Sequence, residues 1–310
     1  MHPLNKVDDA AWPSLLTVGC ANFLSVQRDK RATLEKLLTV VRDAARQGCD
    51  LVVFPELALN SWGECADCAA RSRPCDWHLA DAELAHGPTS DAVARVAREL
   101  DIHVIYGFEE QDEDDASVLY NAAAIVTPDG LLGTYRKVHL GIPLETNRFT
   151  PGDAIPVFET RLGPIGISIC YDFYNNPELA RILCLKGARL LVNPTGRGDL
   201  PRAEQNLRHM TLVRAQENLV YAASANRVGV TGDATWSGGS IIGGPAFPGF
   251  GKVLAQAGRG EELIVTTLNF EQLAAWYDWL PWREWRLGAQ LPATRLIAEE
   301  YAAIVAKAER

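Results

Sequence analysis

Gly163 to Asn193 reads GPIGISICYDFYNNPELARILCLKGARLLVN, and it holds a cysteine where packing alone would not put one. Pro164 to Ile169 is a short β-branched apolar run after a glycine, the pattern of a buried strand, and Glu178 to Lys186 reads as a helix. Cys170 therefore falls at a strand-to-helix corner. A side chain there projects from a strand end into a cleft, and the backbone N–H groups that follow are free to bind an anion. The alternative is a small buried hydrophobe, the usual fate of a free cysteine, and position alone leaves both readings open.

Working outward, two other strand ends carry charge. Asp50 to Phe54, DLVVF, is a buried strand running directly into Pro55 and Glu56. Tyr135 to Leu140, YRKVHL, follows the turn Pro128-Asp129-Gly130 and sets Lys137 in a short alternating segment. A lone glutamate or lysine beside a strand is ordinarily a surface residue. What singles these out is their shared placement with Cys170.

The rest of the chain alternates strands and helices. Leu15 to Phe23 reads as a strand, Asp29 to Gln47 as an amphipathic helix and Cys49 to Phe54 as the next strand. After a long excursion come a helix at Ser90 to Leu100, a strand at His103 to Phe108, and a hairpin of Leu119 to Val126 with Leu131 to His139. Glu109 to Asp115 reads as an acidic, solvated tip. Beyond Cys170 the pattern predicts a strand at Arg189 to Val192, a helix at Glu204 to Asn218, a strand at Val220 to Ala225 and a final hairpin from Ser240 to Thr267. This is an α/β pattern whose helices can cover two sheets.

With 310 residues, 47% of them hydrophobic, the chain can bury a full core. No Pro-, Gly- or Ser-rich linker divides it, so residues 1–310 read as one domain with a tail at about 270–310 suited to subunit contacts. Thirty basic against 39 acidic residues give −9, which argues against nucleic acid or an anionic membrane as partner. Neither an N-terminal signal peptide nor a membrane span is recognisable, and the seven cysteines, an odd number, fit a reducing cytoplasm better than a disulfide framework.

Taken together, Glu56, Lys137 and Cys170 resemble the Glu-Lys-Cys triad of the nitrilase, or carbon-nitrogen hydrolase, superfamily. The resemblance runs from about Leu16 to Leu268 and rests on LVVFPE ending at Glu56, YRKVHL, FTPGD at Phe149 to Asp153, CYD at Cys170 to Asp172, RAQEN at Arg214 to Asn218 and GGS at Gly238 to Ser240. It implies a four-layer αββα sandwich, a homodimer or larger homo-oligomer, a small-molecule substrate and no cofactor. It also implies roles. Glu56 takes the Cys170 proton and later hands it to the leaving amine; Lys137 and the backbone N–H of Tyr171 stabilise the oxyanion; water then hydrolyses a cysteine thioester. Glu145, in GIPLETNRFTPGD, matches a second glutamate that amidase members carry before the Pro-Gly-Asp turn, where it orients the lysine or substrate; its spacing alone would suit a solvated loop carboxylate. Tyr171-Asp172 after the cysteine is similar to amidase branches, whereas nitrilases proper carry Trp-Glu there. The expected reaction is hydrolysis of a small amide to carboxylate and ammonia, with an N-carbamoyl substrate next and a nitrile third. A catalytically silent binding module is the distant alternative.

Around these residues, Asp172 and Asn193 read as backbone anchors, His139 as a structural histidine, and Arg214 with Glu217 as a scaffold ion pair at i,i+3. Trp62, Phe173, Tyr174 and Thr195 to Arg197 are candidate substrate walls. Arg197 and Arg202 suit a substrate carboxylate, as in N-carbamoyl amino acid hydrolases, although loop arginines are usually solvated. Cys65, Cys68, Cys75 and His78, in CADCAARSRPCDWH, have two residues within each pair and six between, a spacing able to close a tetrahedral zinc site. The other reading is three thiols in a loop or short helix, and the resemblance implies no metal. Four of the eight tryptophans, Trp276, Trp279, Trp282 and Trp285, crowd the tail, where subunit packing is expected over an aromatic ligand box.

Overall fold

Alternation along the strands decides the layering of the computed structural model, which describes residues 12–60, 65–232, 234–246, 250–279 and 291–308. The first sheet contains β1 (Leu15–Asn22), β2 (Leu51–Val53), β3 (His103–Gln111), β4 (Leu119–Thr127), β5 (Gly130–Arg136) and β14 (Glu262–Asn269), in the order β14-β1-β2-β3-β4-β5. The second contains β6 (Val157–Thr160), β7 (Gly163–Ile167), β8 (Leu190–Thr195), β9 (Tyr221–Asn226), β12 (Ile241–Gly244) and β13 (Lys252–Gln256), in the order β13-β12-β9-β8-β7-β6. Both sheets share one plan: β1-β2-β3 and β7-β8-β9 are parallel cores flanked by antiparallel edges. A small ribbon of β10 (Val228–Thr231) and β11 (Ala234–Ser237) stands apart from them.

Because successive strand residues face opposite ways, each sheet buries both faces. Leu51, Val53 and Ile105 join Ile165, Ile167, Leu190 and Val192 in a core between the sheets. Val52, Phe54 and Val104 turn outward against α1 (Lys30–Arg46) and α4 (Pro88–Leu100). Leu191 and Ala222 turn outward against α7 (Pro177–Leu185) and α8 (Ala203–Asn218). The result is helix, sheet, sheet, helix, the expected αββα sandwich. The helices form where the sequence marks them. Asp29 caps α1 by accepting from the Ala32 N–H at 2.9 Å, and Thr33, Leu37, Val41 and Ala44 bury one stripe. Pro88 opens α4 and Asp101, in the left-handed region at φ 56°, ends it.

Two expectations change. The final hairpin is only partly one: β12 and β13 pair, but β14 leaves the second sheet to pair antiparallel with β1 in the first. Strand character is legible from a period of two, whereas the partner is not. The supposed acidic tip begins later, since Glu109 and Glu110 belong to β3 and are buried, Glu109 against Arg148 at 2.9 Å and Glu110 against Arg136 at 2.8 Å.

Near the end of the chain, α9 (Phe270–Trp279) lays Trp276 and Tyr277 against the inter-sheet core. Trp282 and Trp285 lie outside the described residues. The last helix, α10 (Leu291–Ala308), leaves Ile297, Tyr301, Ile304 and Val305 more than half exposed. Among the described residues no helix is long and apolar enough to cross a membrane.

Candidate active site

Glu56 and Cys170 each stand three residues beyond the carboxyl end of a central parallel strand, β2 and β7 respectively. This is where open α/β sheets present chemistry. After β2 the chain turns sharply, with Leu57 at φ 48°, and this turn presses so closely on β3 that a Cβ on Gly107 would lie 2.4 Å from the Leu57 nitrogen. Only glycine fits there. Lys137 follows β5; its N–H donates to the Asn121 carbonyl and its carbonyl accepts from Gly152, both at 2.8 Å. A Cβ on Gly152 would sit 2.3 Å from the Arg136 carbonyl oxygen, which accounts for the glycine of the Pro-Gly-Asp turn. Glu145 lies on the single turn α5 (Pro143–Thr146) and is buried, contrary to what its spacing alone suggests.

The three charged side chains meet. Lys137 Nζ donates to Glu56 Oε1 at 2.9 Å and also to Glu145 Oε1. Asn121 Nδ2 bridges the same two carboxylates, at 2.7 Å to Glu56 Oε1 and 3.2 Å to Glu145 Oε1. The remaining oxygens take backbone N–H groups at 2.8 Å, Glu56 Oε2 from Gly196 and Glu145 Oε2 from Gly141. Burying two carboxylates and one ammonium is tolerable only with such complete pairing. Burial alone would pull the Lys137 ammonium down, but Glu56, Cys170 and Glu145 together outweigh it and raise its pKa. Burial raises the Glu145 carboxyl, against the pull of Lys137.

Cys170 is half-buried at the N-cap of α6 (Tyr171–Asn175), with φ 47° and ψ −102°. That conformation costs a non-glycine residue on the order of 1–3 kcal/mol and persists only where surroundings over-determine it. They do here: the Cys170 N–H donates to the Asn193 side chain at 2.9 Å and to the Pro194 carbonyl at 3.1 Å. Asp172, fully buried, accepts from Tyr135 Oη at 2.6 Å, from the Val138 N–H at 3.1 Å and from the His139 N–H at 2.8 Å. It thereby ties the lysine segment to the cysteine corner, and the His139 ring joins it at 2.8 Å. Desolvation, then the Glu56 charge, push the Cys170 thiol up to about 12, with Lys137 pulling the other way. Burial thus favours the protonated thiol over the thiolate.

The candidate walls divide. Phe173 is fully buried in the core under α7 and α8, in the cluster against which Cys170 also packs. Tyr174 and Thr195 are buried, joined by a 2.8 Å hydrogen bond from the phenol, and Thr195 pulls the Cys170 pKa down against the larger effect of burial. Tyr171 is partly exposed, its ring against Gly141, and as the first residue of α6 it offers an N–H with no intrahelical partner. Arg197 lies over the Tyr174 ring at 5.7 Å, whereas Arg202 is exposed before α8. Trp62 lies outside the described residues. Arg214 and Glu217 pair at 2.9 Å, and Arg214 also grips the Phe173 and Tyr174 carbonyls at 2.9 Å. Sequence reasoning missed Asn121, whose signal was an amide inside the apolar strand LYNAAAIV, and Arg227, which is buried and holds the Glu56 and Leu57 carbonyls at 3.2 and 2.7 Å.

The carbon-nitrogen hydrolase family model matches residues 17–278. A probable nitrilase from Schizosaccharomyces pombe is 32% identical over 253 residues, 80% of this chain and 86% of that relative. An (R)-stereoselective amidase from Pseudomonas is 34% identical over 262 residues, 83% of this chain and 86% of the relative. Among solved structures, Saccharomyces cerevisiae Nit3, a member of branch 10 of the nitrilase superfamily, superposes with a TM-score of 0.75 at 24% identity, covering 88% of this chain and 96% of that one. The αββα architecture is thus shared, and by the extent of the sequence match this chain belongs to the carbon-nitrogen hydrolase family, enzymes of amidase and nitrilase type.

Proposed function

We propose that this enzyme hydrolyses a small amide to carboxylate and ammonia through a thioester on Cys170. The observation that carries the reading is the second buried carboxylate, Glu145, sharing Lys137 with Glu56. In this reading Glu56 Oε accepts the Cys170 proton as sulfur forms its bond to the amide carbon, and the oxyanion is met by Lys137 and the Tyr171 N–H. Glu56 then returns the proton to nitrogen as the C–N bond breaks and ammonia leaves. Water next gives a proton to Glu56 and attacks the thioester, the C–S bond breaks, and the thiol regains its proton. Glu145 holds the amide NH2 so that the carbonyl faces sulfur, a positioning effect. The thiol raised to about 12 supports a base acting during attack over a standing thiolate.

The deciding experiment offers matched primary amide, N-carbamoyl and nitrile compounds, reading ammonia release and trapping the acyl group on Cys170 by mass spectrometry. Amides should turn over best. Efficient nitrile turnover with inert amides would overturn the substrate class but leave Cys170 as nucleophile. We further propose a homodimer or larger homo-oligomer that uses the tail, supported by the exposed apolar stripe of α10; a 34 kDa monomer by light scattering at micromolar concentration would overturn that part.

A further inference from the structure

After the Glu56 turn the chain makes a detour with few buried side chains. From Cys65 to Asp81 the buried residues are Cys68, Cys75 and His78. Of the two helices there, α2 (Ala66–Arg71) buries only Cys68 and α3 (Asp76–Asp81) only His78, and neither has a side-chain N-cap. Helices of six residues do not stand alone in water, so something besides apolar packing must hold them.

The side chains that are buried have the character of ligands. The sulfur atoms of Cys65, Cys68 and Cys75 and a ring nitrogen of His78 lie within 4.8 Å of one another. Cys65 Sγ and Cys75 Sγ are 3.7 Å apart. A tetrahedral zinc with Zn–S bonds of about 2.3 Å has S···S edges of about 3.8 Å, whereas a disulfide would need about 2.0 Å. The surrounding contacts also suit an ion. The Cys75 N–H donates to Cys68 Sγ at 3.3 Å. Glu109, fully buried, meets His78 Nδ1 at 3.0 Å, the carboxylate support that a ligating imidazole usually has, and this leaves Nε2 to face an ion. Arg148 Nη1 stands 3.2 Å from Nε2 and 3.3 Å from Nδ1. An atom so nearly equidistant from both nitrogens lies off either lone-pair axis, and it also donates to Glu109 Oε1 at 2.9 Å.

We propose that Cys65, Cys68, Cys75 and His78 bind one zinc ion in a closed tetrahedron of three sulfurs and one nitrogen that joins α2 to α3. Sulfur-rich tetrahedral donors select zinc over the harder divalent ions. Three thiolates and the ion sum to one negative charge, and the buried Arg148 and Glu109 beside it balance each other. The site is structural, with no position left for substrate. Its reach extends to α5: Cys65 and Cys68 share the lining of a cavity of ≈ 350 Å³ with Pro143, Leu144 and Asn147, and the Arg148 N–H donates to the Glu145 carbonyl at 2.9 Å.

The test is metal content of the full-length protein, purified reduced and without chelator. About one zinc per chain is expected. Cobalt added to the reduced apo-protein should give thiolate-to-cobalt charge transfer and intense visible bands of a tetrahedral site. Cys68→Ser and Cys75→Ser should each cut bound metal to below about a tenth of an equivalent, while Cys184→Ala, outside the cluster, should keep it all. Should those serine variants fail to fold, the cobalt titration of the unaltered chain decides. The proposal is overturned if the folded, reduced chain takes up less than about a tenth of an equivalent of either ion, or if cobalt binds with the weak spectrum of an octahedral oxygen site.

Discussion

Two clusters of reactive side chains adjoin α5 and are held in opposite ways. Glu56, Lys137 and Cys170 each leave the end of a strand, and β-ladders, tight glycines and buried side chains such as Asp172 and Asn193 fix the backbone beneath them. Cys68 and His78 sit on two short helices, each the only buried residue of its helix, and Cys65 and Cys75 directly precede them. The first arrangement is a product of folding both sheets and should outlast the loss of the Cys170 thiol. The second has the geometry that a bound ion would enforce, and should loosen without one.

Breaking the first cluster should give the largest effect. Cys170→Ala and Glu56→Gln should each lower kcat/KM by at least about a thousandfold, and the double variant should be scarcely worse, because the groups act as a unit. Circular dichroism melts of Cys170→Ala should stay within about 3 °C of the parent. Substantial hydrolysis by that variant would remove cysteine from the chemistry. Glu145→Gln comes next. It keeps the shape of the side chain but takes a counter-charge from Lys137, so we expect kcat/KM for amides to fall by about ten- to a hundredfold with the fold intact. Near-parental kinetics would reduce Glu145 to a packing residue.

The second cluster should respond in the opposite sense. Chelator added to the reduced protein should lower the melting midpoint by several degrees while kcat/KM falls by less than about tenfold. A chelator that leaves the midpoint unmoved would erase the contrast. The smallest effect is expected in alkali. Desolvated thiols are raised from 9.0, Cys49 to about 11 and Cys170 and Cys184 to about 12, so above pH 9 the unfolded chain sheds protons that the folded chain keeps. Stability is then present below pH 9 and is lost as the pH rises toward 12. Lys137, also raised, adds to the fall above its ordinary 10.5. Thermal melts from pH 8 to 11 should show the decline, and Cys184→Ala should make it shallower; a flat profile would contradict the desolvation of these thiols.

Much of the scaffold was legible, because glycine-bounded β-branched runs and a helical stripe such as Leu37, Val41 and Ala44 announce themselves locally. The cysteine corner was legible for the same reason. What escaped was long-range. Glu109 and Glu110 look solvated as part of a charge run, but their arginines lie 39 and 26 residues away. Gly196 serves Glu56 through its backbone N–H, and a backbone donor leaves no mark in residue type. Asn121 alone carried a readable sign, a polar amide where its strand neighbours are apolar.

The pairing of β1 with β14 brings Leu15 beside Asn269. During synthesis β1 emerges long before β14, so one edge stays open until almost the whole sandwich has been translated. Until then β1 presents an unpaired edge and carries the apolar Leu16 and Val18, the kind of edge that recruits other chains. Closing so long a loop adds little to the equilibrium cost, since that grows only logarithmically, but it delays completion. The nascent enzyme is therefore most exposed to aggregation just before its last strand arrives, and a chain ending short of residue 262 would lack the strand that closes this edge.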